Sequence, residues 1–146
     1  DDTEARNENE VEEYTMRNQI EARVLGDIAG NHVIPTAVKY QNMLIKNVSG
    51  LKEIFGKDFE KYAIQQIQLI KRISEHIEGI HSKVDALISS RKKANKIIDI
   101  EAKAQAYCSK IRPFFDDIRY HCDKLELMID DELWPLTKYR ELLFTR

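Results

Sequence analysis

The stretch FEKYAIQQIQLIKRISEHIEGIHSKVDAL, residues 59–87, decides the fold. Its apolar marks fall at alternating steps of four and three: Phe59, Ala63, Ile70, Ile73, Ile77, Ile80, Val84 and Leu87, with Gln66 the single polar member of the series. Steps of that size keep side chains on one face of an α-helix, whereas a half-buried strand would alternate by two. Sustained over four heptads, the series is a seam that must pack against another helix. Arg91-Lys92-Lys93 follows, where cations suit the negative end of a helix. Asn95 offers a left-handed cap and Asp99 an N-cap, which predicts a tight turn over 95–99. A continuous helix through this turn is the alternative, since neither Gly nor Pro interrupts it.

Downstream the same rhythm returns in Ala104, Cys108, Ile111, Phe115, Ile118, Cys122, Leu125 and Ile129. Pro113 falls inside this series and predicts a kink near 109–112, at a cost of about 3 kcal/mol unless packing compensates. Upstream, a helix is expected to start near Asn9 or Glu10, with apolar marks at Tyr14, Ile20, Val24, Leu25 and Ile28. Gly30-Asn31 reads as its stop and Pro35 as the start of a second helix. That second helix carries Val38, Met43, Leu44, Ile45, Val48, Leu51, Ile54 and Phe55, then Gly56 as its terminator and Asp58 as the next N-cap. Short turns between long helices force antiparallel hairpins. The expected fold is therefore all-α: an elongated antiparallel up-and-down bundle of three to four long helices, with a short C-terminal helix over 137–144. The division expected is an acidic linker from an upstream region at 1–8, the bundle at 9–130 and a C-terminal docking tail at 131–146.

The remainder of the 146 residues agrees. Hydrophobic residues make up 42% and charged residues 33%, with five glycines and three prolines. So few turn-formers argue against a sandwich or barrel, and the composition excludes a wholly disordered or collagen-like chain. A net charge of −2 and a pI near 6.1 give no general attraction to nucleic acid. No apolar run reaches the ~18 residues of a membrane span, and the acidic, polar start reads as neither a signal peptide nor a transit peptide. Residues 1–13 hold seven acids against Arg6 alone. Cys108 and Cys122, on one helix, would lie about 21 Å apart, too far for a disulfide. They read as reduced, buried thiols of a cytoplasmic protein.

Few residues suggest chemistry. Glu78 and His81 form one Glu-x-x-His, half of the paired motif that a di-iron bundle needs. Asp117 and His121 share a helix face at i,i+4, which suits a surface hydrogen bond better than catalysis. Arg91, Lys92, Lys93 and Lys96 are explained by the helix end they occupy. The scattered glycines build no phosphate cradle. No catalytic, cofactor-binding or metal-ligating residue is assigned. The strongest interaction candidate is the tail, with Trp134, Leu136, Tyr139, Leu142, Leu143 and Phe144 concentrating apolar bulk after an acidic step. Its simplest role is docking onto the same chain or a neighbouring subunit.

Several stretches carry a family likeness: EARVLGDIA at 21–29, NHVIPTAVKYQN at 31–42, RKKAN at 91–95, IRYHCDKLEL at 118–127 and, most specific, DDELWPLTKYRELLF at 130–144. The sequence resembles, from about Arg6 onward, the C-terminal region of type III glutamine synthetases, most of all the version of Bacteroides-type bacteria. The resemblance implies a large cytoplasmic parent that joins ammonia to glutamate using ATP and a divalent metal such as Mg, assembled as a dodecamer of two hexameric rings. In that family the catalytic region lies upstream, and none of its metal, glutamate or ATP ligands maps onto a position here. The implied role is a non-catalytic helical domain, structural, assembling or regulatory. Its partners would be the catalytic region of the same chain and neighbouring subunits, with neither nucleic acid nor membrane. Two other readings compete: a free-standing helical-bundle or coiled-coil adaptor, and a small bundle enzyme with a metal at Glu78 and His81.

Overall fold

The computed structural model describes residues 2–136, and among them every regular element is helical. Helix α1 runs over Asp2–Ile28 and leads through a π-helical turn, Ala29–Val33, into α2, Ile34–Phe55. A 3-10 turn, Gly56–Asp58, reverses the chain into the 37-residue α3, Phe59–Asn95. After a loop at 96–99 come α4, Ile100–Ala106, a second π turn, Tyr107–Ile111, and α5, Arg112–Met128.

Interhelical bonds give the directions. The Gln41 amide donates to the Ile70 carbonyl (2.9 Å) and to Ser74 Oγ (2.7 Å), and the Gln66 amide donates to Asn47 Oδ1 (3.0 Å). Residue numbers rise along α2 as they fall along α3, so these helices are antiparallel. The ion pair of Lys83 with Asp117 (3.5 Å) and the contact of His76 with His121 (3.0 Å) show the same for α3 and α5. By contrast, Asn18 meets Arg112 and Glu21 meets Arg119, so α1 runs parallel to the α4–α5 segment.

Where these helices meet, the core is made of Val33, Ile73, Ile80, Leu87, Tyr107, Ile111, Phe115, Ile118 and Leu125, all essentially inaccessible. The seam read from 59–87 holds throughout: each of its nine positions is buried or half-buried. The first helical run contributes mainly small residues, Ala22, Ala29 and Ala37, which let its backbone approach the larger side chains of the other helices.

The structure departs from the sequence expectation at several points. The first helix begins at Asp2 rather than near Asn9, because 2–13 hold no Gly or Pro and Asp2 and Glu4 suit the positive end. Gly30-Asn31 does not stop it. The Ile34 N–H bonds back five residues to the Ala29 carbonyl, and Pro35 follows directly. Likewise the Arg112 N–H bonds to the Tyr107 carbonyl immediately before Pro113. A proline lacks the N–H and crowds the carbonyl four residues back. One widened turn before each proline relieves that conflict without ending the helix. The first two expected helices are thereby fused, so separate long helices are fewer than expected, and the break expected near 109–112 is a π turn. This turn also shifts the phase of its seam: Tyr107 takes the core position and Cys108 is exposed, against the expectation of two buried thiols.

Capping differs too. Gly56 turns the chain at φ 58°, as its place after α2 predicts, and only glycine adopts that conformation without strain. Asp58 makes no capping bond. Asp99 does, accepting from the Ala102 N–H at 2.9 Å. Asn95 is not left-handed, since no described residue other than glycine has positive φ; it stays helical and uses its side chain instead. No described helix is long and apolar enough to cross a membrane.

Candidate functional site

After α5 the chain turns on Asp130. Its carbonyl accepts the N–H groups of Leu133 and Trp134, and its carboxylate accepts the Glu132 N–H at 2.9 Å. This turn folds Trp134 back, so that it is buried within the main core cluster, with Leu133 packed against that cluster. Of the tail candidates, Trp134 docks on its own chain and Leu136 remains 45% exposed. Tyr139, Leu142, Leu143 and Phe144, with the short helix expected at 137–144, lie outside the described residues.

Other apolar side chains face outward. Met16, Ile20 and Val24, four residues apart, are 59, 55 and 52% exposed on the side of α1 away from the core, whose contributors there are Thr15, Asn18 and Ala22. Ile20 and Val24 are thus surface residues rather than core marks. Met43, Ile45 and Ile54 are exposed on α2 as well, and Phe55 stacks on Tyr62 (4.0 Å between rings) at the α2–α3 turn. Beside α1, a groove of about 390 Å³ runs along Ala22, Gly26, Gly30, Val84, Leu87 and Ile88.

Polar groups tie α1 to the bundle. The Asn18 side chain, 2% exposed, donates to the Tyr14 carbonyl and accepts from the Arg112 guanidinium at 2.8 Å. Asn95 Oδ1 accepts from both Gln19 and the Tyr107 hydroxyl, and Glu21 pairs with Arg119. The core tyrosine therefore has its hydroxyl satisfied at the end of α3, as a buried polar group requires.

The most unusual side-chain cluster lies between α3 and α5. His76 Nδ1 and His121 Nδ1 are 3.0 Å apart, with the rings tilted by 59° and Tyr120 edge-on to His121. Burial lowers both imidazole pKa values; each ring's own neighbourhood then adds to or opposes this, His121 acting on His76 and Asp117 acting in the opposite sense on His121. Gly79 makes room: a Cβ there would come within 2.4 Å of the His121 ring. Asp117, paired in sequence with His121, makes its ion pair with Lys83. Glu78 is exposed, and His81 lies 4.0 Å from Asp85 rather than near a second Glu-x-x-His. Among the described residues no three His, Cys, Asp or Glu side chains converge as metal ligands. The sequence reading missed the His76–His121 contact. The one sequence signal is that each histidine directly precedes a seam position, Ile77 or Cys122; which flanking positions meet is set by the register of α3 against α5.

The described residues form a helical domain that leaves several large apolar side chains exposed on α1 and α2. Residues 1–52 match the family model described as the glutamine synthetase C-terminal domain. A glutamine synthetase of Bacteroides fragilis (strain YCH46) is 49% identical over 138 residues, covering 94% of this chain and 19% of that protein. A type-3 glutamine synthetase of Dictyostelium discoideum is 25% identical over 146 residues, covering 98% of this chain and 20% of that protein. Over nearly its whole length the chain is similar to these glutamine synthetases, and it spans about a fifth of the length of the curated relatives it matches.

Proposed function

We propose that this chain is the non-catalytic C-terminal helical part of a cytoplasmic type III glutamine synthetase and that it braces or assembles the parent enzyme. The parent would ligate ammonia to glutamate with ATP and a divalent metal bound upstream. Its double-ring assembly would supply the partners: the catalytic region of the same chain and neighbouring subunits. The observation that carries the reading is the match of nearly this whole chain to about a fifth of a glutamine synthetase. The elongated up-and-down arrangement, with Met16, Ile20 and Val24 left on an outer face, supports a part that meets other protein. No step of the ligation is assigned to these residues.

The test is the mass of the natural polypeptide, captured from source cells with an antibody to this domain. A chain several times 17.1 kDa supports the proposal. A chain near 17.1 kDa removes the synthetase and leaves the free-standing helical adaptor as the reading. In a full-length parent, deleting 131–146 is expected to weaken assembly while leaving the helices folded. Full-sized assemblies without that tail would remove its docking role.

A further inference from the structure

We propose that His76 and His121 form a pH-sensitive clasp between α3 and α5, closed while at least one imidazole is neutral and opened when both are charged. The geometry carries this. Two Nδ1 atoms 3.0 Å apart make one hydrogen bond only if one ring donates its Nδ1–H and the other presents an Nδ1 lone pair. The donor ring keeps a free Nε2. The first proton from solution adds there and turns the contact into a charge-assisted bond, which is stronger. The second proton has to take the accepting Nδ1 lone pair. Two N–H groups and two positive charges then face each other across the helix interface, and the bond is lost.

Both rings are half-buried at the helix interface. Gly79 lies against the His121 ring, and Tyr120 lies against both imidazoles. Among charged groups, Arg72 and Glu75 on α3 and Lys124 on α5 act on His76, while Lys83 on α3 and Asp117 on α5 act on His121. Asp117 is already paired with Lys83, so it is only a partial counter-ion for the second charge. Both imidazoles are harder to protonate than a free histidine, with burial the largest cause. The clasp therefore opens on the acid side of the ordinary histidine range. The inference concerns the α3–α5 contact alone and is independent of what the parent protein does.

The experiment follows the imidazole Cε1–H signals of the 146-residue chain by NMR from pH 8 to pH 4.5, with melting curves at pH 7.5 and 5.0. Trp134, the single tryptophan, is buried just past α5 and reports the loosening of that helix by a red shift of its emission. The two rings are expected to titrate in two coupled steps. Replacing His76 by Gln is expected to convert the His121 curve to a single step. Between pH 7.5 and 5.0 the Tm is expected to fall by about 3–6 °C, the size of one lost contact in a chain of this length. In His76→Gln/His121→Gln that fall is expected to shrink to less than half, with His32 and His81 still present. A His121 curve unchanged by His76→Gln overturns the proposal, as does an equal acid-induced fall in Tm in the double variant. If the double variant does not fold, the titration of the unaltered chain with His76→Gln decides alone.

Discussion

Replacing Gly79 by Ala tests the helix interface at its tightest point. On an isolated helix the change stabilises, by about 1 kcal/mol, because Ala has less backbone freedom to lose. Here the new methyl would lie 2.4 Å from His121 Cε1 and Nε2 and 2.9 Å from Cδ2. Those atoms need roughly 3.5–4 Å, so the ring must move by more than 1 Å. Moving it breaks the bond to His76, a loss of about 0.5–1.5 kcal/mol. It also disturbs the edge-on contact with Tyr120, of about the same size. Against the propensity gain, Gly79→Ala is expected to destabilise the chain by about 1 kcal/mol, read as a lower urea midpoint at constant slope. The decisive arm is His121→Ala. With the ring gone the methyl loses its three closest clashes, and the same Gly79→Ala change is expected to stabilise by about 0.5–1 kcal/mol. An equal effect of Gly79→Ala in both backgrounds would refute the packing argument, as would stabilisation in the unaltered chain.

Other outcomes follow from single contacts. Ile73→Ala, at a fully buried seam position, is expected to cost about 2–5 kcal/mol by chemical denaturation, whereas Ile20→Ala on the outer face should change stability by less than about 0.5 kcal/mol. Tyr107→Phe leaves Asn95 still bonded to Gln19 and is expected to lose only about 0.5–1.5 kcal/mol. The two thiols should differ sharply toward a disulfide reagent at pH 8. Cys108 is exposed and should react at once, while Cys122, half-buried and with its thiol pushed up to about 11 mainly by burial, should react only when the chain opens. Equal rates in the folded chain would show that α5 is not seated as described.

Helix α3 was legible in the sequence because its signal is periodic and local. The apolar series from Phe59 to Leu87 has one partner face to satisfy, and the structure buries that face throughout. Gly56 and Asp99 were legible for a similar reason, since a positive φ and an N-cap bond are decided within a few residues. Pro113 announced a conflict with helical bonding, but not its solution. A π turn and a true break relieve the same missing N–H, and only the packing of Tyr107 and Ile111 into the core selects the turn. Asn95 shows the same limit. Its side chain could have capped α3 or reached Tyr107, and the nearness of the latter depends on how α4 returns across the loop. The first helical run was the least legible. Val33, Leu25 and Ile28 pack inward, but Met16, Ile20 and Val24 point outward while Ala22, Ala29 and Ala37 face the core, so hydrophobicity alone does not mark the buried side.

By itself, then, the sequence determined an all-helical chain, the long seam of α3, the reversal at Gly56 and the likeness to a glutamine synthetase C-terminal domain. The tertiary structure alone decided the fusion of α1 with α2, the phase change that exposes Cys108, and the meeting of His76 with His121. The reason is physical: helical periodicity and turn chemistry are set by neighbours within one or two turns, whereas these three features depend on how residues from separate helices share one interior.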